Sequence, residues 1–323
     1  MFGPSASRCH LDAILARCDG AYSPTTLRGY RNDLLVFMRW CARSGRNWLP
    51  ASPAAVARFI DEEARSISIA TIRRRVCAIQ FAHRISDLPS PVRHSDVYLA
   101  LRRATRAKRR RPRQALGLTA GMLERIAAAC PDTLSGARDA ALFSVGYDTL
   151  CRSAELAAMR VEHVSADLGS LVVPRSKSDP FGDGRVAYLS AASAARLRRW
   201  LDLAGIAWGP LFRGLHTGAV SPTALDTSSI RRRIKVVARR AGLSAEQVRH
   251  LSGHSMRVGA AQDMLVAGVD TLGIMQAGGW RSHAVLARYV ENAVVSAMHH
   301  RRWSRLQSQR ECSGCHRPGM ACV

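Results

Sequence analysis

Apolar positions along the chain recur mostly at helical spacing. Leu34, Leu35, Phe37, Met38 and Cys41 fall on one side of a helix predicted over 24–44. Ser23-Pro24 supplies an N-cap followed by a proline at the first helical position, and Gly45 stands where that helix would stop. Ser52-Pro53 repeats the start signal for a helix through Arg65. Thr71 to Arg84 reads as a third helix, with Ile72, Val76, Ile79 and Phe81 inward and Arg73, Arg74 and Arg75 pointing elsewhere. Val97 to Ala107 completes an all-helical first half.

Beyond Leu116 the pattern predicts helices at 119–129, 135–149 and 153–159, and then the period changes. Leu171-Val172-Val173 and Val186-Ala187-Tyr188 are short β runs, joined by a turn rich in Pro, Gly and Asp with Asp183-Gly184 as the hairpin signal. Helical spacing returns at 191–204, 222–241, 255–267, 270–277 and 282–305, and no internal repeat is visible. Between the two halves, Arg102 to Arg113 holds eight basic residues in twelve without an acid, and Pro112 interrupts it. Such a block repels itself and resists packing, which marks a linker. The expected architecture is mainly α, with a helical N-terminal domain over 12–107 and a basic linker over 108–116. An α-rich domain with a small antiparallel β-hairpin follows over 117–305, and 306–323 forms a tail.

Composition agrees with two folded domains. A chain of 323 residues is about two domains long, and 47% hydrophobic residues can fill two cores. Charge says more. Lys and Arg total 48 against 24 acids, a net charge of +24, and 45 of the 48 are arginines. A surplus of that size makes a polyanion the default partner, and arginine suits bidentate contacts to phosphate and guanine. No apolar run approaches the length needed to cross a bilayer, and Met1 to Gly20 lacks the pattern of an export signal. Nine cysteines, an odd number in a chain of this size, read as reduced thiols in a cytoplasmic protein.

Candidate chemistry gathers in the second half. His254 and Arg257 lie three apart on one helix face and can converge on one phosphate, yet His299 and Arg302 share that spacing, so the pair alone decides nothing. The ordered combination is more specific. Arg152 opens a helix with Glu155 one turn on, Lys177 sits at the hairpin tip, and His254-x-x-Arg257, Gly278-Gly279-Trp280 and Arg288-Tyr289 follow. This order resembles the catalytic set of the tyrosine recombinases (phage-type integrases). Trp280, where most members carry His, together with Ile274 to Trp280, Asn47-Trp48-Leu49-Pro50 and His83-Arg84, resembles the Cre-like branch. The likeness spans residues 12 to 305.

The resemblance implies a core-binding N-terminal domain, a catalytic C-terminal domain and a site-specific DNA strand transfer that needs neither metal, cofactor nor ATP. Tyr289 would attack a phosphodiester, leaving a 3′-phosphotyrosyl bond that stores the energy of the broken linkage. Arg152 and Arg257 would clamp the non-bridging oxygens, and Lys177 would protonate the departing 5′ oxygen. His254 would act as base or hydrogen-bond partner, Trp280 would donate its indole N–H, and Glu155 would orient its neighbours. Double-stranded DNA with inverted-repeat sites would be the partner, bound by four protomers through a Holliday junction, with the 293–305 helix docking on a neighbour and no membrane or small-molecule substrate. For DNA reading it offers Arg73, Arg74 and Arg75, with Ser228 and Arg231 standing where the branch carries an Arg and a Glu, and Gln247 beside them.

Two alternatives stay open at this level: a non-catalytic DNA-binding or architectural protein of the same fold, and an RNA-binding protein. Against the second stand sparse aromatics, 6% of residues, and no RNA module. Cys312, Cys315, His316 and Cys322 in the tail mimic haem or zinc spacing, but adjacent Cys315 and His316 would strain a zinc site. The tail is read as holding no metal.

Overall fold

A computed structural model describes residues 4–108, 114–174, 184–293 and 303–304. The chain forms two compact units, Met1–Pro112 and Arg113–Val323. The first is all helical: α1 (Pro4–Ala16), α2 (Pro24–Arg43), α3 (Pro53–Glu63), α4 (Ile69–Ile85) and α5 (Ser95–Ala107). Three starts have the same device, in which Ser23, Ser52 and Ser68 accept a hydrogen bond from the backbone N–H three residues on. Leu34, Phe37, Phe59, Ile60, Ile72 and Ile79 fill the core between them.

That core also holds polar groups. His83 is fully buried, its Nε2 accepting the Ala51 N–H at 2.9 Å while Nδ1 lies 2.8 Å from the Ile79 carbonyl. Burial holds its pKa below the ordinary histidine value, so the neutral Nδ1–H form fits both contacts. Asp33 of α2 is buried too and accepts from Arg74 Nε at 2.6 Å and from its Nη2 at 2.8 Å.

The second unit runs α6 (Ala120–Ala128), α7 (Leu134–Asp148), α8 (Ser153–Ala157), β1 (Ser170–Val173), β2 (Arg185–Tyr188) and α9 (Ala191–Ala204). Then come β3 (Arg213–His216), β4 (Ala219–Ala224), α10 (Thr227–Arg240), α11 (Ala245–His250), α12 (Ser255–Ala267), α13 (Thr271–Gly278) and α14 (His283–Val290). The four strands form two separate antiparallel pairs, β1 with β2 and β3 with β4, and Val172 faces Val186 across the first. The mainly helical expectation matches, with local differences. The 222–241 helix begins only at Thr227, because Asp226 accepts N–H bonds from Ser228 and Ser229 and so caps it there. Residues 219–224 instead pair with 213–216 around a Thr217-Gly218 turn with both φ positive, a second hairpin. Helices α1 and α11 were also unforeseen. The hairpin tip with Lys177 and the 294–302 stretch of the expected docking helix lie outside the described residues.

Two apolar clusters organise this unit. The larger packs α6, α7, α9, α10 and α12 around Phe143, Leu197, Trp200, Ile234 and Met256. The smaller joins Leu150, Ala260, Ala261, Ile274, Met275, Trp280 and Leu286, with Tyr289 against its edge. Buried Asp139 of α7 binds Arg138 at 2.8 Å and Arg233 of α10 at 2.6 Å, which fixes α10 on the core with Ser228 and Arg231 outward. Among the described residues no helix is long and apolar enough to cross a membrane, no His/Cys/Asp/Glu cluster could hold a metal, and six cysteines are free thiols.

Candidate active site

The site is built on three chain segments that meet beside the smaller cluster. The first follows α7: Thr149, Leu150 and Cys151 make a tight turn, and Arg152 caps α8. Glu155, buried at the third position of α8, accepts the Arg152 backbone N–H at 2.9 Å with one oxygen and its guanidinium with the other. One acid thereby closes the helix end and aims the arginine.

The second segment is the start of α12. Ser153 Oγ donates to the Gly253 carbonyl at 2.9 Å, and a Cβ on Gly253 would sit 2.1 Å from that hydroxyl, so only glycine lets the two segments meet. His254 follows as the N-cap of α12, and Arg257 lies one turn into the helix. Arg257 is 0% exposed. Its Nη1 donates to the Leu150 carbonyl, while Nε and Nη2 are buried without a hydrogen-bond partner.

The third segment runs from α13 to α14. Gly279 ends α13 in the left-handed region, φ 64°, and turns Trp280 back onto the helix; a Cβ on Gly278 would stand 2.1 Å from the indole. The Arg257 guanidinium lies 4.0 Å over the Trp280 ring and 5.4 Å from the Tyr289 ring, and the two rings are 4.9 Å apart, tilted by 57°. A desolvated cation on an aromatic face is attracted by about 2 kcal/mol. The indole Nε1 is buried and, like two Arg257 nitrogens, unpartnered.

Electrostatics reinforce the geometry. Burial and then Arg152 press the Arg257 pKa downward, against the opposing pull of Tyr289 and Glu155. Although His254 as a residue is exposed, the crowding of its ring comes first, ahead of Arg257 and Arg152, in holding its pKa below the ordinary value; Glu155 opposes the shift. Arg152, His254 and Arg257 therefore share one neighbourhood with a single nearby carboxylate. Several unpaired N–H donors and excess positive charge in a desolvated pocket form a receptor for an anion with multiple oxygens.

Of the seven candidate catalytic side chains, Arg152, Glu155, His254, Arg257, Trp280 and Tyr289 come together, and Lys177 lies outside the described residues. The candidates for reading DNA differ in how free they are. Arg73, Ser228, Arg231 and Gln247 are exposed, though Arg73 Nη2 donates to Thr105 Oγ1 at 3.3 Å and the Gln247 side chain accepts the Ser244 N–H at 2.9 Å. Arg74 is held by Asp33, and Arg75, its side chain 15% exposed, is turned inward to Glu63 and Asp33.

Sequence reasoning overlooked Gln114, Gln262 and Arg185. Gln114 donates to the Arg288 carbonyl and accepts from Asn292 at 2.9 Å, and Gln262 donates to the Tyr289 carbonyl at 3.3 Å. Both hold the end of the tyrosine helix. Arg185 shares a strand face with Ala187, but only the structure shows that this face, and not that of Val186 and Tyr188, is the inward one.

Comparison with known proteins shows the family. Residues 117–295 match the model of the phage integrase family, and residues 17–84 match the phage integrase N-terminal SAM-like domain. The recombinase Cre of Escherichia phage P1 is 31% identical over 292 residues, covering 84% of this chain and 85% of that protein. An integrase/recombinase XerD homolog of Selenomonas ruminantium is 28% identical, covering 86% and 85%. In fold the chain is similar to the Tn1549 transposon integrase in complex with circular intermediate DNA, with a TM-score of 0.65 at 13% identity over 91% of this chain and 98% of that one. A lambda integrase dimer bound to a COC′ core site gives a TM-score of 0.61 at 15% identity over 88% and 94%. The chain belongs to the phage integrase family.

Proposed function

We propose that the protein is a site-specific DNA recombinase that cuts and rejoins strands through a phosphotyrosyl bond on Tyr289. The observation that carries this reading is buried Arg257, with two unpartnered nitrogens, stacked on Trp280 and Tyr289 beside a third unpartnered donor, the indole Nε1. A scissile phosphate seated there puts a non-bridging oxygen on Arg257 and Trp280, and the Arg152 guanidinium clamps another.

The tyrosine Oη then forms its bond to phosphorus while the bond to the 5′ oxygen breaks. His254, held neutral, takes the phenolic proton directly or through water. Lys177 gives a proton to the leaving 5′ oxygen, a task for an ammonium and not a guanidinium. Attack by a 5′ hydroxyl on the phosphotyrosyl bond reverses every step, so no external energy is consumed. Four protomers on two inverted-repeat sites exchange strands in two rounds through a Holliday junction, in the cytoplasm where the DNA lies. The exposed start of α10, with Ser228 and Arg231, faces the DNA. Arg73, Arg74 and Gln247 join it only by giving up present partners, Thr105 in the case of Arg73, and Arg75 serves the core.

The test is a denaturing gel of wild type and Tyr289→Phe on a nicked duplex bearing inverted repeats from DNA flanking the gene, without metal or ATP. The expected result is a covalent adduct with the wild type alone, at affinities within about threefold of each other, because only one oxygen has been removed. Site-specific binding without an adduct overturns the reading in favour of an architectural protein.

A further inference from the structure

The turn that delivers Arg152 is strained. Leu150 is buried, is not glycine, and sits at φ 50°, in the left-handed region. For an L-residue that conformation brings Cβ close to the following carbonyl oxygen, and such strain persists only where the surroundings hold it. Here the restraints are two arginines. Arg257 Nη1 donates to the Leu150 carbonyl, and Arg185 Nη2, reaching across from the first residue of β2, donates to the Thr149 carbonyl. The same Arg185 nitrogen lies 3.6 Å from Cys151 Sγ. Arg185 thus grips both sides of the strained residue, which stands two positions before Arg152.

Its stem has a second contact. A Cβ on Gly279 would lie 3.2 Å from Arg185 Cδ and 3.4 Å from its Nε, so the arginine crosses the αL residue that turns Trp280 into the site. Arg185 makes no ion pair among the described residues, and its Nη1 is buried without a partner. A half-buried guanidinium without an ion pair among the described residues, with its fork on the backbone of one loop of the site and its stem over another, is poorly explained as packing alone.

We infer that Arg185 is a positioning residue that holds the Thr149–Cys151 turn and the Gly279–Trp280 turn in register, and thereby places the Arg152 guanidinium against the scissile phosphate. The inference rests on the recombinase reading of the site. The guanidinium acts through Arg152, so its removal slows chemistry while leaving DNA binding, which the wider charged surface supplies, in place.

The experiment measures single-turnover adduct formation on the nicked duplex, DNA affinity and thermal unfolding for the full chain carrying Arg185→Met or Arg185→Lys. Methionine keeps most of the stem and removes the fork. Arg185→Met is expected to slow adduct formation by about 100-fold, the scale of a mispositioned clamp, with affinity within about threefold. Arg185→Lys, which can still donate to the Thr149 carbonyl, should recover about tenfold of that loss. In an Arg152→Lys background, where no guanidinium remains to be placed, Arg185→Met should cost no more than about threefold. An unchanged rate in Arg185→Met overturns the inference, as does the same loss with and without Arg152, or a parallel fall of rate, affinity and unfolding temperature in both Arg185 variants. A wild type that binds its site but forms no adduct removes the recombinase reading and this role with it, whereas an active wild type indifferent to Arg185→Met removes this role alone.

Discussion

His254 shows how one residue's surroundings choose its chemistry. In water an imidazole is partly protonated near neutrality; here crowding, Arg257 and Arg152 all disfavour the cation, so the ring is neutral at pH 7 and can take a proton. Because the pKa is depressed, the neutral form is complete above the ordinary value and is lost only as pH falls through the lowered one. The second-order rate of adduct formation, which reports the free enzyme, should therefore be flat between pH 7 and 8 and fall on an acid limb centred below about 6.5. His254→Gln should remove that limb. A limb centred above the ordinary histidine value, or one that survives the substitution, would exclude His254 as the base. Arg257 shows the opposite strategy: no pH near neutrality removes a guanidinium charge, so its buried, half-partnered state waits for an anion and not for a proton.

At the scale of elements, the weakest link is the helix that carries the tyrosine. Eight residues are too few to be stable alone, and α14 buries only Leu286. Beyond the packing of Tyr289 and Val290 against the smaller cluster, it is held by Gln114 and Gln262 on the carbonyls of Arg288 and Tyr289, which the short helix leaves unpaired. Gln262→Met keeps the volume and removes the donor, and should speed hydrogen exchange of the α14 amides by about tenfold, a loss of one hydrogen bond near 1.4 kcal/mol. Unchanged exchange would show that the amide is not what holds the helix. These supports were invisible in the sequence, because Gln114 lies 174 residues from Arg288 and a lone glutamine carries no pattern. Among the long helices α2 and α9 were legible, since each pairs a serine cap with an apolar stripe. Strand β2 was legible as a strand but not in its facing: Val186 and Tyr188 point outward, 57% and 75% exposed, while Arg185 points in. Hydrophobicity alone would turn that strand over. The three consecutive arginines of α4 illustrate the same limit, as each points 100° from the next. Which of them faces outward was decided by Asp33 and Glu63 on other helices. The order of the candidate catalytic residues Arg152, His254, Arg257, Trp280 and Tyr289, by contrast, could be read from its resemblance to the tyrosine recombinases, independently of which way any side chain faces.

For the whole molecule the dominant fact is charge. Acids number half the basic residues, so even complete pairing would leave 24 cations, nearly all arginine. Many acids are in fact occupied within the fold, among them Asp33, Asp61, Glu124, Asp139 and Glu155, which lowers their power to repel a polyanion without spending the surplus. Binding of DNA should then be driven by release of its counterions, with each phosphate neutralised adding about 0.9 to the slope of log K against log salt concentration. If six or more phosphates are contacted, affinity should fall roughly a thousandfold between 50 and 200 mM salt. Guanidinium groups stay charged throughout the accessible range, so the slope should be the same at pH 6 and pH 8. A scrambled duplex should give nearly the same slope at weaker affinity, because phosphate contacts position the protein while base contacts specify. Titrations by fluorescence anisotropy at four salt concentrations and two pH values would check all three expectations. A shallow slope would mean that the arginine surplus is not what meets DNA, and a slope that changes with pH would assign the contacts to histidines instead.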